Sequence, residues 1–226
     1  MFTKMIVRLA VGVVASLALV ANAGVIRVTE SNFNAGAGLI TFSEKAGGTV
    51  NPTYNPADYG GGGGAPTVTF DGAFDFGGPT LQLDASAPDT FITSDGSNPT
   101  SPVLSGTPLF NGDIAILFST DQYGVGFDAG YFNAIGGTAI QAFDRAGNLL
   151  GQVVNEALGI EFLGLVTDDN TASIAGVRLA IVGNEPYGYA IDNLRFGLQQ
   201  DIDVPAPAGI ILFGLGLVAL GARRRR

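Results

Sequence analysis

Short stretches in which apolar and polar residues alternate run through most of the chain, and turn-forming residues separate them. In one of them, Val177, Leu179 and Ile181 fall on one face and Arg178 on the other. A period of two is typical of half-buried β-strands, and residues 24–203 contain no convincing amphipathic helix. The pattern predicts these strands: Val25–Thr29, Leu39–Phe42, Thr67–Phe70, Thr80–Leu83, Phe91–Thr93, Ile114–Ser119, Gly124–Ala129, Thr138–Asp144, Leu149–Asn155, Ile160–Thr167, Ala175–Val182 and Tyr189–Gly197.

The loops between these strands are marked by glycine and proline. Gly60–Gly64 cannot hold a strand, and no Lys-Ser/Thr follows it, so the sequence does not predict a phosphate-binding loop there. The segment from Asn98 to Pro108, rich in Pro, Ser, Thr and Gly, is also predicted to be a loop. Many short strands joined by turns predict an all-β sandwich or barrel.

The N-terminal end departs from this pattern because it carries a continuous apolar stretch behind basic residues. Lys4 and Arg8 form a basic segment that precedes the apolar run Leu9–Val20. Ala21-Asn22-Ala23 then has the small residues of a cleavage site. This arrangement predicts a signal peptide over residues 1–23, which signal peptidase removes so that the mature chain begins at Gly24. An uncleaved N-terminal anchor is the alternative.

The C-terminal end combines three elements in a fixed order. Val204-Pro205-Ala206-Pro207 comes first, the uncharged run Ala208–Ala222 follows, and Arg223–Arg226 end the sequence. The run has 15 residues, which is short for a membrane helix, since spanning the bilayer takes about 20 residues. The arginines should stay on the cytoplasmic side, so the chain would enter the membrane from outside and stop.

This order of elements resembles the PEP-CTERM sorting signal of Gram-negative bacteria, although Ala206 stands where that family usually has glutamate. The resemblance implies export across the inner membrane, transient anchoring there and cutting by an exosortase, with a final place at the cell surface or outside the cell. An ordinary C-terminal anchor is the alternative. The resemblance implies three roles: a recognition motif (Val204, Pro205, Ala206, Pro207), an apolar helix (208–222) and a stop signal (Arg223, Arg224, Arg225, Arg226).

Between the two signals, residues 24–198 are long enough for one domain with its own core, and residues 199–203 form a linker. Four segments of this domain resemble the small jelly-roll domains of exported bacterial proteins with such tails, which look like carbohydrate-binding modules in topology. We therefore expect a jelly-roll-like β-sandwich, flanked by the signal peptide and the C-terminal hydrophobic helix. The four segments are ITFSEKAGGTV (40–50), VGFDAGYF (125–132), IQAFDRAGNLLG (140–151) and YAIDNLRFG (189–197).

Composition excludes several classes of function. All 20 acidic residues but only five of the 11 basic residues lie between residues 24 and 203, which gives this segment a net charge of −15. Nucleic acid is therefore not expected as a partner, because binding it requires cations that neutralise phosphates. The chain has no His and no Cys, which excludes a Ser-His-Asp triad, a cysteine nucleophile and the usual zinc sites. Any metal site must use oxygen ligands, which favours Ca²⁺.

Glu44 and Asp192 are the candidate ligands of a structural Ca²⁺. Strand parity would place Glu44 on the side of Ile40 and Phe42, and Asp192 on the side of Leu194 and Phe196. If those sides face the core, two carboxylates point inward, and a bound cation would compensate for their burial. Jelly-roll modules often hold such an ion between their first and last strands. The alternative is that both carboxylates lie at the rim and bind water or backbone amides.

The expected function is that of a non-catalytic protein associated with the cell surface or the biofilm matrix, with extracellular polysaccharide as the expected ligand. Two alternatives stay open: a structural or adhesive matrix component without a defined ligand, and a polysaccharide-modifying enzyme that uses carboxylates alone. For the enzyme, Glu156 and Glu161 are the conceivable acid/base pair. Any of six tyrosines could stack on a sugar, and the sequence does not choose between them: Tyr54, Tyr59, Tyr123, Tyr131, Tyr187 and Tyr189.

Overall fold

The alternating apolar residues build two antiparallel sheets that face each other across one core, in a computed structural model that describes residues 24–197. Two short 3₁₀ turns, Glu30–Asn32 and Pro56–Tyr59, are the only helical segments of these described residues. The strands are β1 (Val25–Val28), β2 (Gly38–Ile40), β3 (Thr53–Tyr54), β4 (Val68–Asp71), β5 (Phe74–Asp75), β6 (Gln82–Leu83), β7 (Thr90–Asp95), β8 (Asn98–Gly106), β9 (Ile114–Gln122), β10 (Gly124–Phe132), β11 (Thr138–Phe143), β12 (Leu149–Val154), β13 (Gly159–Thr167), β14 (Ile174–Ile181) and β15 (Ala190–Phe196).

The order of the strands confirms the jelly-roll-like sandwich. The first sheet runs β1-β13-β10-β15-β8-β7, with β2 also paired to β15, and the second runs β12-β11-β14-β9-β4-β3. From β8 onward the chain crosses between the sheets at every connection except the β11–β12 hairpin, so that β8, β10, β13 and β15 face β9, β11, β12 and β14. Eight strands that cross between two sheets in this way form a jelly roll.

The core between the sheets is made by one face of each strand. Ile116 and Phe118 of β9 and Val177 and Leu179 of β14 are fully buried, and they pack with Leu165 of the opposite sheet. Arg178 lies on the outer face, as the alternation predicted. Its guanidinium there donates hydrogen bonds to the side-chain oxygen of Gln141. Because both sheets and their core lie within residues 24–197, this segment contains the contacts that a domain needs to fold.

Small overlays cover part of each outer face. The hairpin of β5 and β6 places Phe74 over the second sheet at Gly176, where a Cβ would lie 2.7 Å from the phenyl ring. On the first sheet, the Phe162 ring lies over Gly126, where a Cβ would lie 2.5 Å from it. These glycines provide the space in which the two aromatic rings pack.

Both ends of the described chain lie at the same end of the sandwich. Gly24 contacts the end of β13 through Asp168, and the Gly197 amide donates to the carbonyl of Gly124, which pairs with Val166 of β13. The opposite end of β15 begins after Tyr189, and its seven residues span roughly 23 Å. The loop before β15 is therefore far from the point where the chain leaves the domain.

The predicted signal peptide (residues 1–23), the linker (199–203) and the C-terminal motif, helix and arginines (204–226) lie outside the described residues. Among residues 24–197, no helix has the length and hydropathy needed to cross a membrane. The predicted loop at 98–108 is wrong over most of its length, because residues 98–106 form β8 and pair with β7.

Candidate functional site

The structure separates the six tyrosines by their exposure. Tyr54 and Tyr189 are buried in the core, while Tyr59 and Tyr123 are partly covered. Tyr131 and Tyr187 are 52% and 72% exposed, and both lie at the end of the sandwich opposite the chain termini. Only these last two therefore present most of their ring surface to solvent.

The two exposed tyrosines line one shallow cleft of about 350 Å³. Tyr131 belongs to the last residues of β10, and Tyr187 lies in the loop that precedes β15. Aromatic rings thus stand beside polar groups that can donate or accept hydrogen bonds, which is the usual composition of a small-ligand site. The other lining residues are Asp95, Ser97, Phe110, Gly130, Asn133, Gly188 and Tyr189.

A buried carboxylate fixes the loops that carry this cleft. Glu185 is 6% exposed, and its Oε2 accepts hydrogen bonds from the backbone amides of Asn133 (2.9 Å) and Ala134 (3.0 Å). Its Oε1 accepts a bond of 3.3 Å from the amide of Tyr187. Glu185 therefore connects the loop after β10 with the loop before β15, so it sets the position of Tyr187 relative to Tyr131 without lining the cleft.

Glu185→Ala is expected to destabilise the domain by about 2 kcal/mol, because three buried or half-buried amides lose a charged acceptor. Glu185→Gln should have a smaller effect, because its amide oxygen can still accept hydrogen bonds from the backbone. Some loss of stability should remain, because its amide nitrogen is a donor and replaces an acceptor. Urea unfolding of the two variants and the unchanged protein measures the difference. Equal stability of Glu185→Ala and the unchanged protein would contradict this role.

The tyrosine end also carries exposed apolar side chains on several loops. Ile135 and Leu158 are 66% and 60% exposed, and they flank the starts of β11 and β13. Gly159 lies beside Tyr131, and a Cβ there would lie 3.6 Å from the tyrosine ring. Exposed apolar side chains therefore lie on the same end of the sandwich as the cleft. The remaining exposed apolar residues of this end are Leu109, Ile160 and Val182.

The electrostatic character of the described domain is acidic throughout. Residues 24–197 contain five basic and 18 acidic side chains. Each of the five cations lies beside a carboxylate, at distances from 2.5 to 3.9 Å, so none is left to bind an external anion alone. The pairs are Arg27 with Glu156 and Glu161, Lys45 with Asp58, Arg145 with Asp121, Arg178 with Asp113, and Arg195 with Glu30.

The parity argument for Glu44 is wrong. β2 ends at Ile40, and Phe42 adopts a left-handed backbone conformation (φ 58°), which turns the chain before Glu44. Glu44 is exposed in the following turn, where its Oε1 accepts hydrogen bonds of 3.0 Å from the amide and the hydroxyl of Thr41. Glu44 therefore caps a local turn and does not point into the core.

The parity argument for Asp192 is also wrong, because β15 contains a bulge. Asn193 has a positive φ of 50°, which shifts the alternation so that Ile191, and not Asp192, shares the core with Leu194. Asp192 is buried on the other face of the sheet. Its Oδ2 accepts a bond of 2.9 Å from Asn98 Nδ2, and its Oδ1 one of 2.7 Å from the amide of Asn193.

Asp192 lies opposite Asp128 of β10, and Asn193 Nδ2 donates to Asp128 Oδ2 at 2.8 Å. Burial raises the pKa of the Asp128 carboxyl above its usual range, and the charge of Asp192 acts in the same direction. Within residues 24–197 no group of three or more His, Cys, Asp or Glu side chains is arranged to hold a metal ion. Calcium binding stays a prediction: the Glu44 carboxylate binds the backbone and hydroxyl of Thr41, and the Asp192 carboxylate binds Asn98 and the Asn193 amide.

The conceivable acid/base pair is occupied by structural contacts. Glu161 Oε1 binds Arg27 Nη1 at 2.9 Å, and Glu161 Oε2 accepts from the amides of Glu156 and Ala157, both at 2.9 Å. Glu156 lies 3.5 Å from Arg27 Nε. The two glutamates thus hold the edge of β1 and the loop before β13, and Glu161 lies opposite Ala129, two residues before Tyr131.

Comparison with known proteins identifies the C-terminal segment. The family model of the PEP-CTERM protein-sorting motif matches residues 203–226, which include the predicted motif, apolar run and arginines. These residues lie outside the described ones, so the match rests on sequence alone. No curated protein is significantly similar to the chain.

Among solved structures, the fold is similar to the crystal structure of the K2 cleaved adhesin domain of Lys-gingipain. The TM-score is 0.35 at 11% sequence identity, and the match covers 72% of this chain and 99% of that chain. A similarity at this level supports no statement about function.

Proposed function

The chain carries a PEP-CTERM protein-sorting motif and is an exported protein that an exosortase sorts to the cell surface or the extracellular space; we propose that its jelly-roll domain binds polysaccharide there without catalysing a reaction. The observation that supports the proposal is the cleft between Tyr131 and Tyr187. An exposed tyrosine ring offers a flat apolar face for the C–H groups of a sugar and a hydroxyl for hydrogen bonding.

The polar residues around the rings suit a hydroxyl-rich ligand. Asp95 can accept hydrogen bonds from sugar hydroxyls, and Ser97 and Asn133 can both donate and accept. The cleft is shallow and lies along the end of the sandwich. A site of this shape favours a few units of a longer chain over a small molecule that must be enclosed.

The position of the cleft fits attachment at the opposite end. The C-terminal tail leaves the domain after Gly197, and β15 separates that point from Tyr187 by roughly 23 Å. A protein held through its tail during sorting would therefore present the cleft away from the point of attachment. Ligand binding and recognition of the tail would not compete for the same surface.

Charge favours an uncharged polysaccharide as the ligand. The described domain has 13 more acidic than basic side chains, and all five of its cations are paired with carboxylates. An acidic polysaccharide would meet repulsion with no single free cation to offset it. A divalent cation could bridge two acidic partners, so each binding measurement is made once with calcium and once with a chelator.

Tyr187→Ala and Tyr131→Ala are each expected to weaken binding of neutral oligosaccharides to the Gly24–Asp203 domain about tenfold, because loss of a stacking face removes roughly 1.4 kcal/mol. Tyr187→Phe should bind nearly as well as the unchanged domain, since it keeps the ring. Phe76→Ala is the matched control, because Phe76 is an aromatic residue 50% exposed on another surface. Isothermal titration calorimetry over a panel of bacterial polysaccharides measures these affinities.

The outcomes separate the three candidate functions. Binding that depends on Tyr131 and Tyr187 but not on Phe76 supports the proposal. No saturable binding to any polysaccharide, with calcium or with chelator, would favour a structural matrix component without a defined ligand. Release of reducing ends from a glycan, lost in Glu161→Gln, would instead favour an enzyme.

A further inference from the structure

The first described residue is held by an aspartate at the end of β13. The backbone nitrogen of Gly24 lies 2.8 Å from Asp168 Oδ1, and the amide of Asp168 donates to the carbonyl of Gly24 at 3.0 Å. The next residue, Val25, pairs with Thr167, so these two contacts continue the β1–β13 ladder by one position. A side-chain carboxylate thus takes up the nitrogen at the very start of the domain.

Glycine lets the Asp168 carboxylate take this position without any adjustment. A Cβ at position 24 would lie 2.6 Å from Asp168 Oδ2 and 3.3 Å from its Cγ, so any side chain there would displace the carboxylate. The absent side chain of Gly24 therefore lets the carboxylate approach the nitrogen closely. Gly24 is also the residue that the sequence predicts to become the mature N-terminus after cleavage behind Ala23.

We propose that Asp168 is a binding site for the α-ammonium group that signal peptidase creates at Gly24. Hydrolysis of the Ala23–Gly24 bond adds water, leaving a carboxylate on Ala23 and an ammonium group on Gly24. The nitrogen changes from a neutral amide with one donor into a cation with three donors, while its distance to Asp168 Oδ1 needs no change. Processing thereby converts a neutral hydrogen bond into a charge-assisted one.

The surrounding charges leave Asp168 available for this role. None of the salt bridges within residues 24–197 involves Asp168. The neighbouring carboxylate, Asp169, accepts hydrogen bonds from the amide and hydroxyl of Thr171 at 3.0 and 2.7 Å. Asp168 is thus the carboxylate in contact with the nitrogen, and Asp169 adds negative charge beside it.

The contact between the Gly24 nitrogen and Asp168 lies at the end of an edge strand, where it should affect stability. β1 is the edge strand of the first sheet and pairs only with β13 along its length. Edge strands fray from their ends, so a charged anchor at the first residue holds the strand where the ladder begins. We therefore expect the processed protein to be more stable than a chain that continues upstream of Gly24.

The test compares two proteins in the same detergent, both ending at Arg226, of which one begins at Gly24 and the other at Ala23. Both carry one α-ammonium group, so they differ in its position and not in net charge. We expect the protein that begins at Gly24 to melt roughly 2–4 °C higher at pH 6. The same pair with Asp168→Asn should show no difference, whereas Asp169→Asn should preserve it.

The pH dependence identifies the group responsible. Pairing with Asp168 should raise the pKa of the Gly24 α-amino group above its usual value of about 7.7–8.0. The added stability is then fully present below the usual pKa and is lost as the pH rises through the raised one. Titration of the Gly24 resonances by NMR measures that pKa directly, and it remains informative if Asp168→Asn fails to fold.

Three results would overturn the proposal. The two proteins could melt at the same temperature at pH 6, or their difference could persist in Asp168→Asn. Mass spectrometry of the exported protein could also find an N-terminus other than Gly24. None of these results depends on whether the tyrosine cleft binds polysaccharide.

Discussion

Replacing Gly188 by alanine is expected to destabilise the domain by about 3 kcal/mol or more and to disrupt the tyrosine cleft. Gly188 has a φ of +80°, and a Cβ there would lie 1.7 Å from the carbonyl oxygen of Phe110. That oxygen cannot simply move aside, because it accepts a hydrogen bond of 2.6 Å from the amide of Tyr189. The substitution therefore forces two backbone segments apart directly beside Tyr187.

Gly60→Ala is the matched control for this prediction. Gly60 has a similar φ of +72°, but a Cβ there would meet nothing within 4 Å. It should show only the conformational penalty of a left-handed alanine, about 1–2 kcal/mol. Urea unfolding of both variants, followed by far-UV circular dichroism, separates the two contributions. Equal losses would show that the approach of Gly188 to Phe110 does not govern stability.

The predictable part of the fold is the part in which large apolar side chains occupy every second position of a strand. In β14, Val177 and Leu179 are buried while Arg178 is half-exposed on the outer face, and the same alternation holds for Ile116 and Phe118 in β9. The sheet's period of two leaves a direct trace in such sequences. For this reason the sandwich class and most strands were predictable from the pattern.

The prediction of a loop at residues 98–108 failed because prolines give this strand the composition of a loop. β8 contains Pro99 and Pro102, which cannot donate to a ladder, and so the segment has the composition of a loop. In the structure it still pairs with β7 along most of its length, whereas its pairing with β15 is recorded at a single position, Leu104 opposite Ile191. Its burial comes from residues that follow the prolines, and the local sequence does not report such tertiary pairing.

The candidate calcium ligands show how the backbone conformation of a single residue can make a prediction from strand alternation wrong. The predictions for Glu44 and Asp192 assumed that alternation continues without interruption. Phe42 and Asn193 both adopt positive φ values: at Phe42 the chain turns out of the strand before Glu44, and at Asn193 the alternation shifts between Asp192 and Leu194. Asparagine is known to tolerate this conformation, but phenylalanine gives no such warning in the sequence. Local backbone geometry therefore had to come from the structure.

The exposed tyrosines could not be selected from sequence for a related reason. Tyr187 and Tyr189 lie two residues apart, yet one is exposed and the other is buried with its hydroxyl bonded to the carbonyl of Leu179. Tyr187 is positioned by Glu185, whose carboxylate accepts hydrogen bonds from the amide of Tyr187 and from the amide of Asn133 on another loop. That contact joins residues 52 positions apart, so no local pattern encodes it.

The sorting tail and the folded domain lie in different parts of the sequence and can be altered independently. The tail was identified from the order of its elements, which a family model confirms, whereas the tyrosine cleft is assembled only by the fold. A variant of the tail should therefore change location and processing but leave the cleft intact. This separation allows the tail to be tested by processing alone.

Substitution of Arg223–Arg226 by glutamine is expected to abolish normal processing of the tail in the producing cell. The arginines are the only charged side chains between residues 204 and 226, and each is costly to move through a bilayer, so they should hold the tail in place as the apolar run enters the membrane. Without them the tail should slip through or take the wrong orientation. Fractionation and intact-mass measurement of the exported protein then show an uncut chain with an altered location.

Substitution of Pro205 and Pro207 by alanine separates recognition from membrane insertion. This variant keeps the apolar run and the arginines, so it should still insert and stop, but it should accumulate uncut in the membrane because the exosortase no longer recognises it. The two variants therefore share the loss of cutting and differ in location. If the tail were an ordinary anchor, the unchanged protein would keep residues 204–226, and the proline variant would behave like the unchanged protein.

Normal cutting and normal location of the arginine variant would contradict the stop-signal role of Arg223–Arg226, whatever the proline variant does.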